Sequence, residues 1–484
     1  MHVVFDKARA GIQLMKIALL EPLCGLNDLG VHVRHSVLEP LGIEYLSATA
    51  KSEGNEVRVF RQRSVSSEEV LEEILRFDTD VLGVSVMAYN FEHALALARS
   101  VKTRRSAIRT VFGGYHASAC PEIVKDENID FVVIGEGEKT FVELLGVINS
   151  NGDFGKVNGI AYWNAKLQVN EPRARISNLD ELPFPSRDRE TLRECKIGGL
   201  SYPPPSAQRG VCQVVSSRGC NHSCGFCSSP QVWGKQVRWR NARSVREEIE
   251  YVHKEFATNT IFFADLTFNL NKRKTQELCE ELQKSEAEIH WYAMCRTDNL
   301  DKELLVSMKS AGCAKIAYGI DSVCNETLSK IKPGQNLSIR GIRSALQLTS
   351  DAGIIVRAYV IIGFPWEDKE SLRETAQVLR ALPIDDLRIS FLAPFPGTPL
   401  YEEFRNENLL ATEEFNRYTS DEPVVRTRNL TAEQLCEVRE TIFREFYRSK
   451  AYEMRMKDKV KAFPHLKQSY DEFFDFLHAR AVLT

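Results

Sequence analysis

From Val211 onward one pattern recurs six times: a short apolar run, then a stretch of helical periodicity. The apolar runs fall at 211–215, 260–264, 289–294, 315–320, 354–362 and 387–392. Helical spacing fills 245–256, 274–283, 302–311, 338–351 and 369–382 between them. Continuous apolar runs suit strands covered on both faces, as in a parallel sheet whose crossovers are helices. Six such units make a partial (β/α)6 barrel, and in barrels the reactive groups gather at the carboxyl ends of the strands.

The first of those ends carries S-S-R-G-C-N-H-S-C-G-F-C-S-S-P, residues 216–230. Cys220, Cys224 and Cys227 form a C-x3-C-x2-C array. Thiolates are the natural ligands of iron–sulfur clusters. Three on one loop can hold three irons of a [4Fe–4S] cube, and no fourth cysteine follows at ligand spacing, so one iron is left open. Zinc is the competing metal, but it usually takes four ligands. His222 is the candidate fourth, and it lies inside the loop. Chance clustering of buried structural cysteines is the third reading.

With aromatic Phe226 before the last cysteine, the array resembles the signature of the radical SAM superfamily. The resemblance implies S-adenosylmethionine (SAM) chelated at the open iron and split by one electron to a 5′-deoxyadenosyl radical. It implies an electron donor: a flavodoxin, a ferredoxin or a dedicated reductase. It also implies roles at strand ends. Asp265, in D-L-T-F-N, stands where the family meets the SAM amino group, with Leu266 in place of the usual second acidic residue. Arg296 matches the arginine near the SAM carboxylate, which a guanidinium can grip bidentately. Asp321, in G-I-D-S where the family usually has G-I-E-S, falls at the ribose. Gly363 and Pro365, in G-F-P, resemble the G-x-P that lines the adenine site, and P-F-P-G-T-P-L-Y at 394–401 matches the family segment. Arg357 and Tyr359 share one face of their strand, aimed at substrate or packed. Cys295, Cys313 and Cys324 lie near strand ends and read as lone buried cysteines.

The first 150 residues alternate strands near 15–20, 57–60, 81–86, 109–114 and 131–134 with helices near 40–50, 67–77, 91–102 and 139–147. That order calls for a doubly wound, Rossmann-like parallel sheet of about five strands, with ligands at the carboxyl ends. P-L-G-I-E-Y-L at 40–46, G-G-Y-H-A-S at 113–118 and G-E-G-E-K-T at 135–140 resemble the cobalamin-binding domain of the B12-binding radical SAM family. The resemblance implies cobalamin approached by backbone at Gly25, Gly113, Gly114 and Gly135. No D-x-H-x-x-G motif marks a lower cobalt ligand. His116 reads as a ligand or as a turn histidine, and Tyr89, Tyr115 and His116 are the bulky side chains that would fill the cleft of a domain without cofactor.

The expected domains are a cobalamin-binding-type domain at 1–150, a linker at 151–205 with a small hairpin near 160–169, the barrel at 206–401 and a helical region at 402–484. The last reads as a lid on the barrel, a packed cap or a docking face. At 484 residues the chain exceeds what one core supports. Its net charge of −3, with Lys+Arg 63 against Asp+Glu 66, gives no electrostatic case for nucleic acid or membrane. No apolar run is long enough to span a bilayer, and the first residues lack a secretory core. Twelve scattered cysteines argue against a disulfide framework and for a reducing cytoplasm. The leading functional expectation is cobalamin-dependent C-methylation of a small molecule, a secondary metabolite or lipid. The alternative is a cobalamin-free radical dehydration, cyclisation or rearrangement with a vestigial first domain. A non-catalytic cluster carrier is disfavoured, because a carrier needs no SAM-type strand ends.

Overall fold

The computed structural model describes residues 14–22, 37–62 and 66–479. The chain divides into two compact units. Unit 1 comprises Met1–Leu29, Pro40–Arg187 and Ser228–Gly234; unit 2 comprises Gly30–Glu39, Asp188–Cys227 and Lys235–Thr484.

Unit 1 is built on β1 (Lys16–Glu21), β2 (Glu56–Arg61), β3 (Val81–Ser85), β4 (Arg109–Gly113), β5 (Phe131–Val133), β6 (Ile160–Asn164) and β7 (Lys166–Val169). They form one sheet in the order β2-β1-β3-β4-β5-β6-β7. The first five are parallel, and the order reverses between β1 and β3, the switch point where doubly wound sheets bind ligands. Both faces are covered, which is why K-I-A-L-L-E and V-L-G-V-S read as unbroken apolar runs. The helix Ser67–Arg76 starts on a capping box between Ser66 and Glu69. The expected hairpin does form, but it extends the sheet to seven strands instead of standing in a linker: β6 pairs antiparallel with β5, Val133 opposite Ile160. Ile160 and Ala161 are buried there, so the hairpin covers an edge that β5 would otherwise expose.

In unit 2, β8 (Cys212–Val214) is followed by a two-stranded antiparallel ribbon of β9 (Ser217–Arg218) and β10 (Arg238–Trp239). Then come β11 (Thr260–Phe263), β12 (His290–Cys295), β13 (Cys313–Asp321), β14 (Ile355–Ile362) and β15 (Asp386–Phe391). All five pairings of the six-stranded barrel sheet are parallel and follow chain order, β8-β11-β12-β13-β14-β15, leaving β8 and β15 as its edges. Cys313 opens β13, so it lies at the amino end of its strand, away from the reactive face.

The amino end of this barrel is sealed by charge. Lys315 Nζ donates to the Leu200 carbonyl and lies 2.9 Å from the Asp386 carboxylate. Arg357 Nη1 donates to the Gly198 carbonyl, and its Nε lies 3.5 Å from Asp386. Gly199, at φ +73°, passes so close that a Cβ there would sit 2.6 Å from Asp386 Oδ2. Lys459, from the helix Lys450–Ala462, pairs with fully buried Asp385, and Tyr452 Oη donates to the Asp385 carbonyl at 2.8 Å. The last helices, Ala432–Tyr447, Lys450–Ala462 and Lys467–Ala479, therefore form a packed cap, with Phe446, Tyr452 and Tyr470 in the barrel core. Among the described residues no helix is long and apolar enough to cross a membrane.

Candidate active site

The chain leaves β9 into Gly219, at φ +95°. A Cβ there would lie 2.2 Å from the Gln236 carbonyl, so only glycine lets the cysteine loop start against the ribbon. Cys220, Cys224 and Cys227 follow as free, half-buried thiols. The Cys227 N–H donates to the Cys224 carbonyl at 3.1 Å. Gly225 anchors the middle of the loop: its N–H donates to the Ile331 carbonyl at 2.8 Å, and its own carbonyl accepts from the Leu400 N–H at 3.0 Å. Phe226 beside it is half-buried. Among the described residues no three or more His, Cys, Asp or Glu side chains converge on a single ion position. A cube does not require that, since it takes each thiolate on a different iron. Three thiols on one backbone-anchored loop, with no disulfide between them, suit that donor set.

Around the loop the strand ends come together as follows. Asp265, directly after β11, is buried, and its carboxylate accepts from the Ser216 N–H at 3.0 Å, the Ser216 hydroxyl at 2.7 Å and the Ser217 hydroxyl. Burial pushes its carboxyl up, and the serine bonds hold it back. It thus fixes the two residues leading into the loop. Arg296, after β12, grips Asp298 through Nε at 2.9 Å and Nη2 at 2.5 Å, and donates through Nη1 to Gln335 Oε1 at 2.6 Å. Gln335 Nε2 in turn donates to Cys224 Sγ at 3.5 Å. Burial pushes the Cys224 thiol up, while Gln335 and Lys332 act against that.

Asp321 ends β13 in the left-handed region, φ +57°, where the pairing with β14 shifts register. Such a bulge re-aims a side chain. Its carboxylate pairs with Lys332, whose Nζ also donates to the Gly319 carbonyl at 2.8 Å. Gly363, φ +90°, turns the chain out of β14. The Gly363 and Phe364 N–H groups donate to Glu367 Oε2 at 2.7 and 3.0 Å, and burial pushes the Glu367 carboxyl up to about 7. The Pro365 carbonyl accepts from the Arg428 N–H at 3.1 Å. Tyr359 is half-buried with the Arg357 guanidinium 5.1 Å from its ring; Arg357 itself is committed to the amino end.

Four participants escaped the sequence reading. Asn269, fully buried, ties β11 to β12 by accepting from the Arg296 N–H at 2.9 Å and donating to the Arg296 and Asn299 carbonyls. Lys332 and Gln335 sit in a K-P-G-Q turn between two helices, and Glu367 lies two residues past the G-F-P motif. The buried-polar character of Asn269 and Glu367 is invisible in a linear pattern. The Pro-Gly turn was a visible signal for the other two.

In unit 1 the strand ends are lined by backbone. Gly114, φ +94°, approaches β3 so closely that a Cβ would lie 2.8 Å from the Val86 carbonyl, while a Cβ on Gly113 before it would meet nothing nearer than 3.8 Å. Gly135, φ +82°, donates its N–H to Ser118 Oγ at 2.9 Å, and Arg175 Nη1 occupies the space a Cβ would need. His116 is turned inward with its ring 4.7 Å from Phe91, and burial lowers its pKa to about 4. Its ring therefore packs in the core beside Phe91. Tyr115 Oη accepts from Trp233 Nε1 at 2.6 Å, and Tyr89 is half-buried. Gly25 lies outside the described residues. An edge of backbone and small polar groups fits a ligand held by shape and amide hydrogen bonds, with no side chain among the described residues marked to ligate cobalt.

Two family models match. Residues 28–145 match the B12 binding domain, and residues 214–379 match the Radical SAM superfamily. The chain is 30% identical over 413 residues to an uncharacterized methyltransferase of Pyrococcus horikoshii, covering 84% of this chain and 87% of that one. It is 26% identical to an anaerobic magnesium-protoporphyrin IX monomethyl ester cyclase of Rubrivivax gelatinosus, covering 85% and 74%. Among solved structures it is similar in fold to the radical S-adenosylmethionine methyltransferase TsrM of Kitasatospora setae, determined with cobalamin and a [4Fe–4S] cluster, at TM-score 0.68 and 21% identity, covering 87% and 84%.

Proposed function

Since the chain belongs to the B12-binding radical SAM family, we propose that it is a cobalamin-dependent methyltransferase acting on a carbon of a small molecule, a secondary metabolite or lipid. The observation that carries this is that a methyltransferase relative matches both domains at once, over 84% of the chain. When bound, the cluster and SAM supply a carbon-centred radical, and cobalamin supplies methyl-transfer chemistry.

In this reading Cys220, Cys224 and Cys227 hold the cluster, with Phe226 at its flank. Arg296 offers its remaining N–H groups to the SAM carboxylate, Asp321 meets the ribose, and Gly363 and Pro365 border the adenine. Asp265 acts one step back, holding Ser216 and Ser217 so that the loop enters at a fixed angle. Gly113, Gly114 and Gly135 let backbone approach the corrin. A flavodoxin, ferredoxin or dedicated reductase of the cytoplasm supplies the electron.

The cyclase relative favours a radical cyclisation in place of methylation, and Arg175 standing over Gly135 favours a first domain without cobalamin; together they make the cobalamin-free radical enzyme the second reading. Reconstitution with hydroxocobalamin and desalting separates the two. Near-stoichiometric retained corrinoid with methyl transfer from labelled SAM supports the methyltransferase. Protein that retains none, yet forms 5′-deoxyadenosine on reduction, sinks it.

A further inference from the structure

We propose that Gln335 raises the reduction potential of the cluster by donating a hydrogen bond to the Cys224 sulfur. The inference rests on the reading that the three thiols hold that cluster. A primary amide has opposite ends, a carbonyl that accepts and an NH2 that donates, and which end faces which neighbour follows from the neighbours. Here one neighbour decides. Arg296 Nη1 lies 2.6 Å from the Gln335 side chain, and a guanidinium has donors only and stays protonated. The end toward Arg296 must be the carbonyl. The end toward Cys224 Sγ, at 3.5 Å, must then be the NH2.

Both partners are held in place. Asp298 grips the other edge of the Arg296 guanidinium, and Asn269 fixes the Arg296 backbone. The turn carrying Gln335 is closed by its own N–H to the Lys332 carbonyl at 3.3 Å and by the Leu337 N–H to the Gln335 carbonyl at 3.0 Å. The Lys332 ammonium also acts on this sulfur, and it is paired with the Asp321 carboxylate. Adding an electron to a cluster places more negative charge on its sulfurs, so a donor aimed at a ligand sulfur favours the reduced state.

The test is an EPR-monitored potentiometric titration of the anaerobically reconstituted full-length protein, without SAM, comparing wild type with Gln335→Leu and Gln335→Glu. Leucine removes the donor. Glutamate still accepts from Arg296 but turns an oxygen to the sulfur. At a fixed potential Gln335→Leu is expected to lower the ratio of reduced to oxidised cluster by about tenfold, about 59 mV for one electron, as for loss of a charge-assisted hydrogen bond. Gln335→Glu is expected to lower it further. A merely structural role would change iron content or melting temperature and would not order these two variants. Equal midpoints, a reversed order, or folded variants that load no iron overturn the inference. Wild type that loads no reducible cluster instead removes the cysteine-site reading, and this inference falls with it.

Discussion

The two ends of the barrel use charge in opposite ways. At the amino end Lys315, Arg357, Asp385, Asp386 and Lys459 are all less than a tenth exposed, and each is paired to another of them or to a connector carbonyl. Ions taken so far out of water hold the fold only as complete sets; removing one strands its partner. At the carboxyl end the cysteine thiols are half-buried, and Asp298 is 31% exposed. There the charged groups hold turns and loop entrances: Asp265 the serines before Cys220, Lys332 the end of β13, Glu367 the turn after β14. Asp265, Asp321, Lys332 and Glu367 are as deeply buried as the amino-end set, so one end spends its polar groups on closure and the other on holding backbone in unusual conformations around half-buried thiols.

Replacing Cys220, Cys224 and Cys227 together by alanine tests the contrast most severely. Iron should fall from about four per chain to none, with the visible absorption, by the stoichiometry of such clusters. The melting temperature of the metal-free protein should not move, because these thiols are outside the core. Iron retained in the triple variant breaks the assignment of the carboxyl end.

Asp385→Ala makes the opposite cut. It strands Lys459 in the core and should lower the unfolding free energy by about 3–5 kcal/mol in a denaturant titration, the usual cost of breaking a buried pair. Iron binding should be untouched. A negligible loss would show that the amino end is not sealed.

Glu367 gives a pH signature. Its carboxyl keeps its proton to about 7 in the folded protein and releases it near 4.5 once unfolded. Between those values the folded state binds the extra proton, so this group's stabilisation is complete below 4.5 and is lost as the pH rises through 7. The loss should be about 3 kcal/mol between roughly pH 5 and pH 7.5, and Glu367→Gln should flatten it in urea unfolding. Parallel pH profiles for the two proteins refute it. The smallest expected effect is Arg296→Ala: the cluster stays, and SAM affinity weakens by about 1.5–3 kcal/mol, the worth of a hydrogen bond to a charged group. Calorimetry showing unaltered affinity would remove Arg296 from the SAM site.

The barrel strands were legible because each apolar run is long enough to show burial on both faces; K-I-A-Y-G-I lies inside Cys313–Asp321. What a period of two cannot supply is depth. It put Arg357 on one face with Tyr359 and left open which end of the barrel its head would reach, which Gly198 and Asp386 decide. The cysteine loop was legible from spacing alone. Its supports were not: Ile331, Gln335 and Leu400 reach it from far along the chain, and only the folded barrel makes them neighbours. The extension of the first sheet by β6 and β7 was hidden for a related reason, since a hairpin reads the same whether it stands alone or pairs with a distant edge.

The anchoring of Gly225 by Ile331 and Leu400 has a temporal side. During synthesis the thiols leave the ribosome well before their backbone partners exist. At the usual elongation rate, the stretch from Cys227 to Leu400 takes roughly 10 to 35 seconds to make. For that interval the three cysteines belong to a shapeless nascent segment, open to oxidation and to whatever metal is at hand. Iron delivered after release meets a formed loop; iron delivered on the ribosome does not.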